Sequence, residues 1–119
     1  MARILFLCHG NICRSPMAEF VMKELVRRAG RTDVSVESAA LHTDEIGSDI
    51  HYGTRGKLVE KKIPFSPRAA WLLTAAKARE YDYLVGMDDY NIADPWYTGN
   101  FDATYDDVLV GCTALLAQL

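Results

Sequence analysis

Two residues near the start of the chain carry reactive chemistry at an informative spacing. Cys8 and Arg14 bracket the run Cys8-His9-Gly10-Asn11-Ile12-Cys13-Arg14, and Ser15-Pro16 follow it. An apolar run, Ile4-Leu5-Phe6-Leu7, leads in, and a helix-like pattern from Met17 to Ala29 leads out. Strand, tight loop and helix in that order put the loop on a helix N-terminus. There the backbone N–H groups lack intrahelical partners and the helix adds about half a positive charge, so anions bind. Arg14 adds a full charge and a planar fork suited to two oxygens of a tetrahedral oxyanion. The same field favours a thiolate at Cys8, which places a nucleophilic sulfur against a bound phosphate-like group.

The residues between fit that task. Five of them separate Cys8 from Arg14, enough to curl around a dianion. Gly10 removes a side chain where the backbone must approach the ligand or take positive φ. Asn11 tolerates the left-handed conformation best among non-glycine residues, and its side chain can hold the loop's shape. Ser15 suits a helix cap with Pro16 at the first helical position, and its hydroxyl is also placed to donate to the Cys8 sulfur. The bland alternative is a buried structural cysteine before an ordinary capped helix. The register of Gly, Asn, Arg and Ser-Pro outweighs it. Cys13 shares the loop, and oxidation joining it to Cys8 would protect the nucleophile reversibly.

Size and charge narrow the possibilities. The chain has 119 residues, half of them apolar, which suits one domain over residues 1–119 with a real core. Its formal net charge of −3 gives no footprint for nucleic acid or an anionic membrane. Three cysteines without paired spacing argue against a secreted disulfide scaffold. The N-terminal apolar run is too short for a signal peptide or a membrane span. A soluble, cytoplasmic protein is the expectation. His42 and His51 lack ligand spacing with any cysteine, so no metal and no cofactor are expected.

The positioning elements follow from periodicity. Met17, Ala18, Val21, Met22, Leu25, Val26 and Ala29 form one helical stripe, which Gly30 ends. Val34 to Ala40 alternates and then turns small, as a strand approaching something closely. Residues 41–53 read as a polar loop. Thr54 to Lys62 reads as a short helix with Leu58 and Val59 inward. Pro67 to Glu80 reads as helical, in one piece or two, with Trp71, Leu72, Leu73 and Ala76 packing. Tyr83 to Met87 reads as a continuous, buried strand. A last helix is expected from about Thr104, with Val108, Leu109, Cys112, Leu115, Leu116 and Leu119 on its apolar stripe. The order implies an α/β three-layer sandwich around a small parallel sheet, order 2-1-3, with the phosphate-binding loop after strand one. Ligands in such sheets bind beyond the carboxyl ends of the strands.

The run from Cys8 to Glu19 resembles the active-site loop of the low-molecular-weight protein tyrosine phosphatases. Asp94-Pro95-Trp96-Tyr97 is similar to that family's Asp-Pro-aromatic-aromatic loop, and Tyr81 to Asp88 to its third strand and following turn. The resemblance implies hydrolysis of phosphotyrosine or small aryl phosphates through a phosphocysteine. It makes Cys8 the nucleophile and Arg14 the transition-state clamp, with Asp94 as acid and then base. His9, Gly10, Asn11, Ile12, Cys13, Arg14 and Ser15 would hold the phosphate, or free phosphate or sulfate, while Trp96 and Tyr97 wall a slot for a flat ring. Of His9, only the backbone N–H is expected to contribute, with its imidazole near the mouth. Ser38 corresponds to a serine that supports the loop in the family, here through Asn11, though an ordinary strand-end serine reads the same.

One departure is large. Family members usually carry a few dozen residues, including a fourth strand, where Ile92 here meets Ala93. The missing strand leaves strand three at an edge, and a monomer or weak homodimer is expected. Six residues from Asp88 span at most about 20 Å, enough for Asp94 to reach the strand ends. Three other functions share this architecture or its loop. An impaired phosphate-binding scaffold would bind without turnover. An arsenate reductase would need relay cysteines, and only Cys112 follows Cys13. A protein arginine phosphatase typically carries Thr where Ile12 stands.

Overall fold

A computed structural model describes residues 2–87 and 101–119. Strand β1 (Ala2–Cys8) runs into helix α1 (Arg14–Arg28), followed by β2 (Val34–Ala40) and α2 (Tyr52–Glu60). A single turn, α3 (Ala75–Ala78), precedes β3 (Tyr83–Gly86), and α4 (Phe101–Ala117) closes the chain. The three strands form one parallel sheet, order β2-β1-β3, as expected from sequence. Register sets Phe6 beside Ser38 and Cys8 beside Ala40, so the first two strands end together.

Alternation along β1 divides the interior. Ile4, Phe6 and Cys8 face a core built with Met17, Val21 and Met22 of α1, Leu58 of α2, and Val108 and Cys112 of α4. Leu5 and Leu7 face the other way, onto Ala39 and Tyr81 under Trp71 and Leu73. Burying each such aliphatic side chain contributes about 1.5–3 kcal/mol, which makes β1 the best-anchored strand. Cys112 is packing, as its place on the apolar stripe implied, and burial pushes its thiol up to about 12.

Helix ends obey local chemistry. Gly30 takes φ 69 after α1, while Gly30 N–H donates to Arg27 O and Arg31 N–H to Val26 O. That paired return satisfies the last carbonyls. Lys62 plays the same part after α2 at φ 57, with Ile63 N–H donating to Leu58 O.

Four expectations need correction. Val59 is 63% exposed, because only Leu58 of that adjacent pair lies on the inner face of α2. Residues 67–74 are extended, not helical. Pro64 and Pro67 bias the residues before them away from helix, and the segment spends its backbone groups elsewhere. Ala70 N–H donates to Ser48 O, Ala40 N–H to Trp71 O and Leu73 N–H to Ala40 O. Ala76 and Leu72 are exposed in consequence. Strand β3 is apolar but open: Tyr83 and Leu84 are 42% and 49% exposed, since β3 is the outermost strand among the described residues. Helix α4 already includes Phe101, three residues before the expected start at Thr104.

Candidate active site

The sulfur of Cys8 lies at the end of β1, almost inaccessible, with donors converging on it. Asn11 N–H donates to Sγ at 3.3 Å and Ser15 N–H at 3.5 Å, and Ser15 Oγ lies 3.0 Å away. Three donors from a loop and the first turn of α1 around one sulfur are what a thiolate requires. The sulfur faces the nest the sequence implied.

Asn11 is the hub of the loop. It is fully buried at φ 60, the left-handed value expected of it. Its Nδ2 donates to Ser15 Oγ at 2.8 Å and to Ser38 Oγ at 2.9 Å. Ser15 already accepts that bond, so its own proton is free to point at the sulfur. Ser38 donates onward to Glu19 Oε1 at 2.5 Å, and Lys23 Nζ donates to Glu19 Oε2 at 2.6 Å. A buried polar chain therefore runs from the surface of α1 to the nucleophile. The reading of Ser38 as a bare strand-end serine is overturned by its bond to Asn11.

Other expected residues fall as follows. Helix α1 starts at Arg14 with Cys13 at the cap position and no side-chain cap bond, so Ser15 sits inside the helix and does not cap it. Its hydroxyl is committed to Cys8 and Asn11. Gly10 does not take the positive φ that was one of its two expected reasons; a Cβ there would come 3.3 Å from Glu45 Cγ. Ile12 and Cys13 are buried with Ala70 against Phe101. Arg14 is buried and donates from Nη1 to the Met87 carbonyl beyond β3. The His9 ring is exposed, donates to Asp44 Oδ2 at 2.5 Å and stacks on His42 at 4.1 Å. That hydrogen bond holds the Asp44 carboxyl below its ordinary range. Asp94, Trp96 and Tyr97 lie outside the described residues.

Sequence reasoning missed the loop's outer supports. His51 N–H donates to Ile12 O at 2.8 Å and Thr54 Oγ1 to Cys13 O at 3.3 Å. Arg68 donates to Asn11 O at 2.6 Å and to Asn11 Oδ1. No local spacing announces these contacts: those of His51 and Thr54 depend on how the start of α2 docks on the loop, and those of Arg68 on the extended path of residues 67–74. The pairing of Pro64 with Pro67 was the available signal for that path.

A cysteine and an arginine at the two ends of a loop, on the carboxyl rim of a parallel sheet, define a cysteine-dependent enzyme of phosphate esters. The comparisons narrow the class. Residues 3–92 match the family model described as low molecular weight phosphotyrosine protein phosphatase, and the chain belongs to that family. It is similar to the low molecular weight protein-tyrosine-phosphatase PtpA of Staphylococcus aureus, 31% identical over 98% of this chain and 92% of that one. Among solved structures it resembles SP-PTP, the low molecular weight protein tyrosine phosphatase of Streptococcus pyogenes. That likeness has a TM-score of 0.92 and 34% identity, over 100% of this chain and 93% of the other. YfkJ of Bacillus subtilis gives a TM-score of 0.93 at 30% identity, over 99% and 94%. The Staphylococcus alignment runs over 144 positions against the 119 residues here, so at least 25 of its positions have no counterpart in this chain.

Proposed function

We propose that this chain hydrolyses phosphotyrosine, in proteins or as small aryl phosphates, through a phosphocysteine at Cys8. The observation that carries the reading is the convergence of Asn11 N–H, Ser15 N–H and Ser15 Oγ on the Cys8 sulfur. The thiolate attacks phosphorus in line with the departing phenolate. Arg14 and the N–H groups of residues 9–14 hold the three equatorial oxygens as charge spreads over them. Asp94 gives its proton to the phenolate and then takes one from the water that breaks the S–P bond. Trp96 and Tyr97 flank the ring.

Free phosphate or sulfate competes for the same loop. The burial of Cys112 supports hydrolysis over a reductase, since a relay needs an accessible second thiol. A cytoplasmic monomer or weak homodimer completes the reading; no described helix is long and apolar enough to cross a membrane.

Turnover of a phosphotyrosine peptide beside p-nitrophenyl phosphate tests the assignment. Cys8→Ser abolishes both. Asp94→Ala lowers peptide turnover by about 10²–10⁴-fold. It lowers p-nitrophenyl phosphate turnover far less, because nitrophenolate leaves with little help. A Cys8→Ser protein that keeps its phosphatase activity sinks the nucleophile assignment.

A further inference from the structure

We propose that Arg68 is a positioning residue for the nucleophile, acting through Asn11 on Ser15 and so on the Cys8 sulfur. The proposal rests on the reading of Cys8 as the nucleophile and adds a residue that no motif in the chain marks.

The argument begins with what Asn11 must do. Its carboxamide points both Nδ2 hydrogens at serine oxygens, Ser15 at 2.8 Å and Ser38 at 2.9 Å. Only that orientation leaves the Ser15 proton for the sulfur 3.0 Å away. Turned over, the amide would offer Ser15 an acceptor, and the hydroxyl proton would be drawn off the sulfur.

Arg68 forbids the turned-over state. Its guanidinium donates to Asn11 Oδ1 and, at 2.6 Å, to Asn11 O. A guanidinium has donors and no acceptor, so an NH₂ group facing it would be repelled. The second bond holds the backbone carbonyl of Asn11 at φ 60, a conformation that asparagine tolerates and that this contact fixes. One fork thus fixes the side chain and the backbone of the same hub.

Arg68 is itself anchored. Its N–H donates to Asp49 Oδ1 at 3.1 Å, and Pro67 fixes the chain before it. Burial disfavours its charge, while the carboxylates of Glu19 and Asp49 and the Cys8 thiolate favour it. A half-buried cation behind the loop therefore also feels the sulfur's charge. Lysine is no equivalent, because a single ammonium cannot present a planar fork to two oxygens.

The test is a cycle of Arg68→Ala and Arg68→Lys in the wild-type and Asn11→Gly backgrounds. Two readouts are taken. One is kcat/KM on p-nitrophenyl phosphate. The other is the rate of Cys8 alkylation by iodoacetate, with and without inorganic phosphate, located by peptide mass. In the wild-type background Arg68→Ala lowers kcat/KM by roughly 10- to 100-fold and weakens protection by phosphate, the scale of bonds from one charged donor. Arg68→Lys recovers only part of this. With Asn11→Gly already present, Arg68→Ala costs less than about threefold, the sign of two residues acting as one unit.

An equal loss in both backgrounds, full recovery by lysine, or unchanged kcat/KM and protection overturns the proposal. If Arg68→Ala does not fold, the same cycle run with Arg68→Lys decides. If the wild-type protein has no turnover, the hydrolase reading fails alone, and phosphate protection of Cys8 still reports on Arg68.

Discussion

Ser15 and Ser38 offer a matched pair of deletions that isolates one hydrogen bond to the nucleophile. Both hydroxyl oxygens accept from Asn11 Nδ2, at 2.8 and 2.9 Å, and both are buried. Only Ser15 reaches the sulfur. Replacing either with alanine leaves one Asn11 hydrogen without its acceptor, a cost of about 1–3 kcal/mol. Ser38→Ala also takes the donor at 2.5 Å from the buried Glu19 carboxylate, so it is the less stable variant.

Activity follows the opposite order. When the phosphocysteine breaks, the sulfur departs and regains its negative charge in the transition state. A hydroxyl donating to it is then worth more than in the intermediate. Losing a hydrogen bond to a charged acceptor costs about 1.5–3 kcal/mol, roughly a 10- to 150-fold drop in the second step. The Ser15→Ala enzyme should therefore accumulate phosphocysteine. Stopped-flow release of nitrophenol should show a burst equal to the enzyme concentration, followed by a slow steady rate. Ser38→Ala should show a smaller fall in kcat and no enhanced burst. If Ser38→Ala loses as much kcat as Ser15→Ala at a temperature where both are folded, the hydroxyl does not serve the sulfur, and the account of the loop is wrong.

Two further outcomes follow from individual side chains. The hydrogen bond from Arg27, supported by Arg28, lowers Glu24 from 4.5 to about 2 against the opposing effect of burial. The unfolded chain thus binds the extra proton first: this stabilisation is complete above pH 4.5 and is lost as pH falls toward about 2. Thermal melts of Glu24→Gln should lie below wild type at pH 7 and converge with it near the low end of that window. Under mild peroxide the Cys8 thiolate becomes a sulfenic acid, and the Cys13 thiol displaces its oxygen as water to form a disulfide. Peptide mapping should find Cys8–Cys13 linked and reducible by dithiothreitol, with Cys112 still a thiol because burial keeps it protonated. Cys8 sulfinic acid without the crosslink contradicts this.

The legible parts of the molecule were those with local causes. A left-handed Asn11, a Gly30 helix stop and a β2 from Val34 to Ala40 each follow from residue type and near-neighbour spacing. Ser15 shows the limit. The expectation of a cap and that of a bond to sulfur were both local, and a tertiary contact chose between them. Residues 67–74 were misread because the apolar cluster Trp71, Leu72, Leu73 and Ala76, with its i,i+3 and i,i+4 pairs to Ala76, imitates a helix, whereas bonds to Ala40, Gly47 and Ser48 draw the backbone straight. The apolar run of β3 reads as buried, whereas the edge position expected of strand three implied the exposure that Tyr83 and Leu84 show among the described residues.

The same contacts say what a shortened member of this family keeps. Apart from the Arg14 bond to Met87 O, the described hydrogen-bonding supports of the phosphate loop lie before residue 70: Glu19, Ser38, His51, Thr54 and Arg68. The family match runs to Ile92, the point at which the sequence departs from the family pattern. Among the described residues, the hydrogen bonds that hold the loop thus come from β2, α1, α2, the extended segment behind them and Met87, while Phe101 of α4 packs against Ile12 and Cys13. The segment that this chain lacks relative to the family pattern follows Ile92, close in sequence to Asp94 and away from these supports. Thiophosphate formation on an activated ester should therefore be retained. Turnover of a phenyl phosphate with a basic leaving group, which calls on Asp94 as the proposed acid, is the reaction that the shortening should slow.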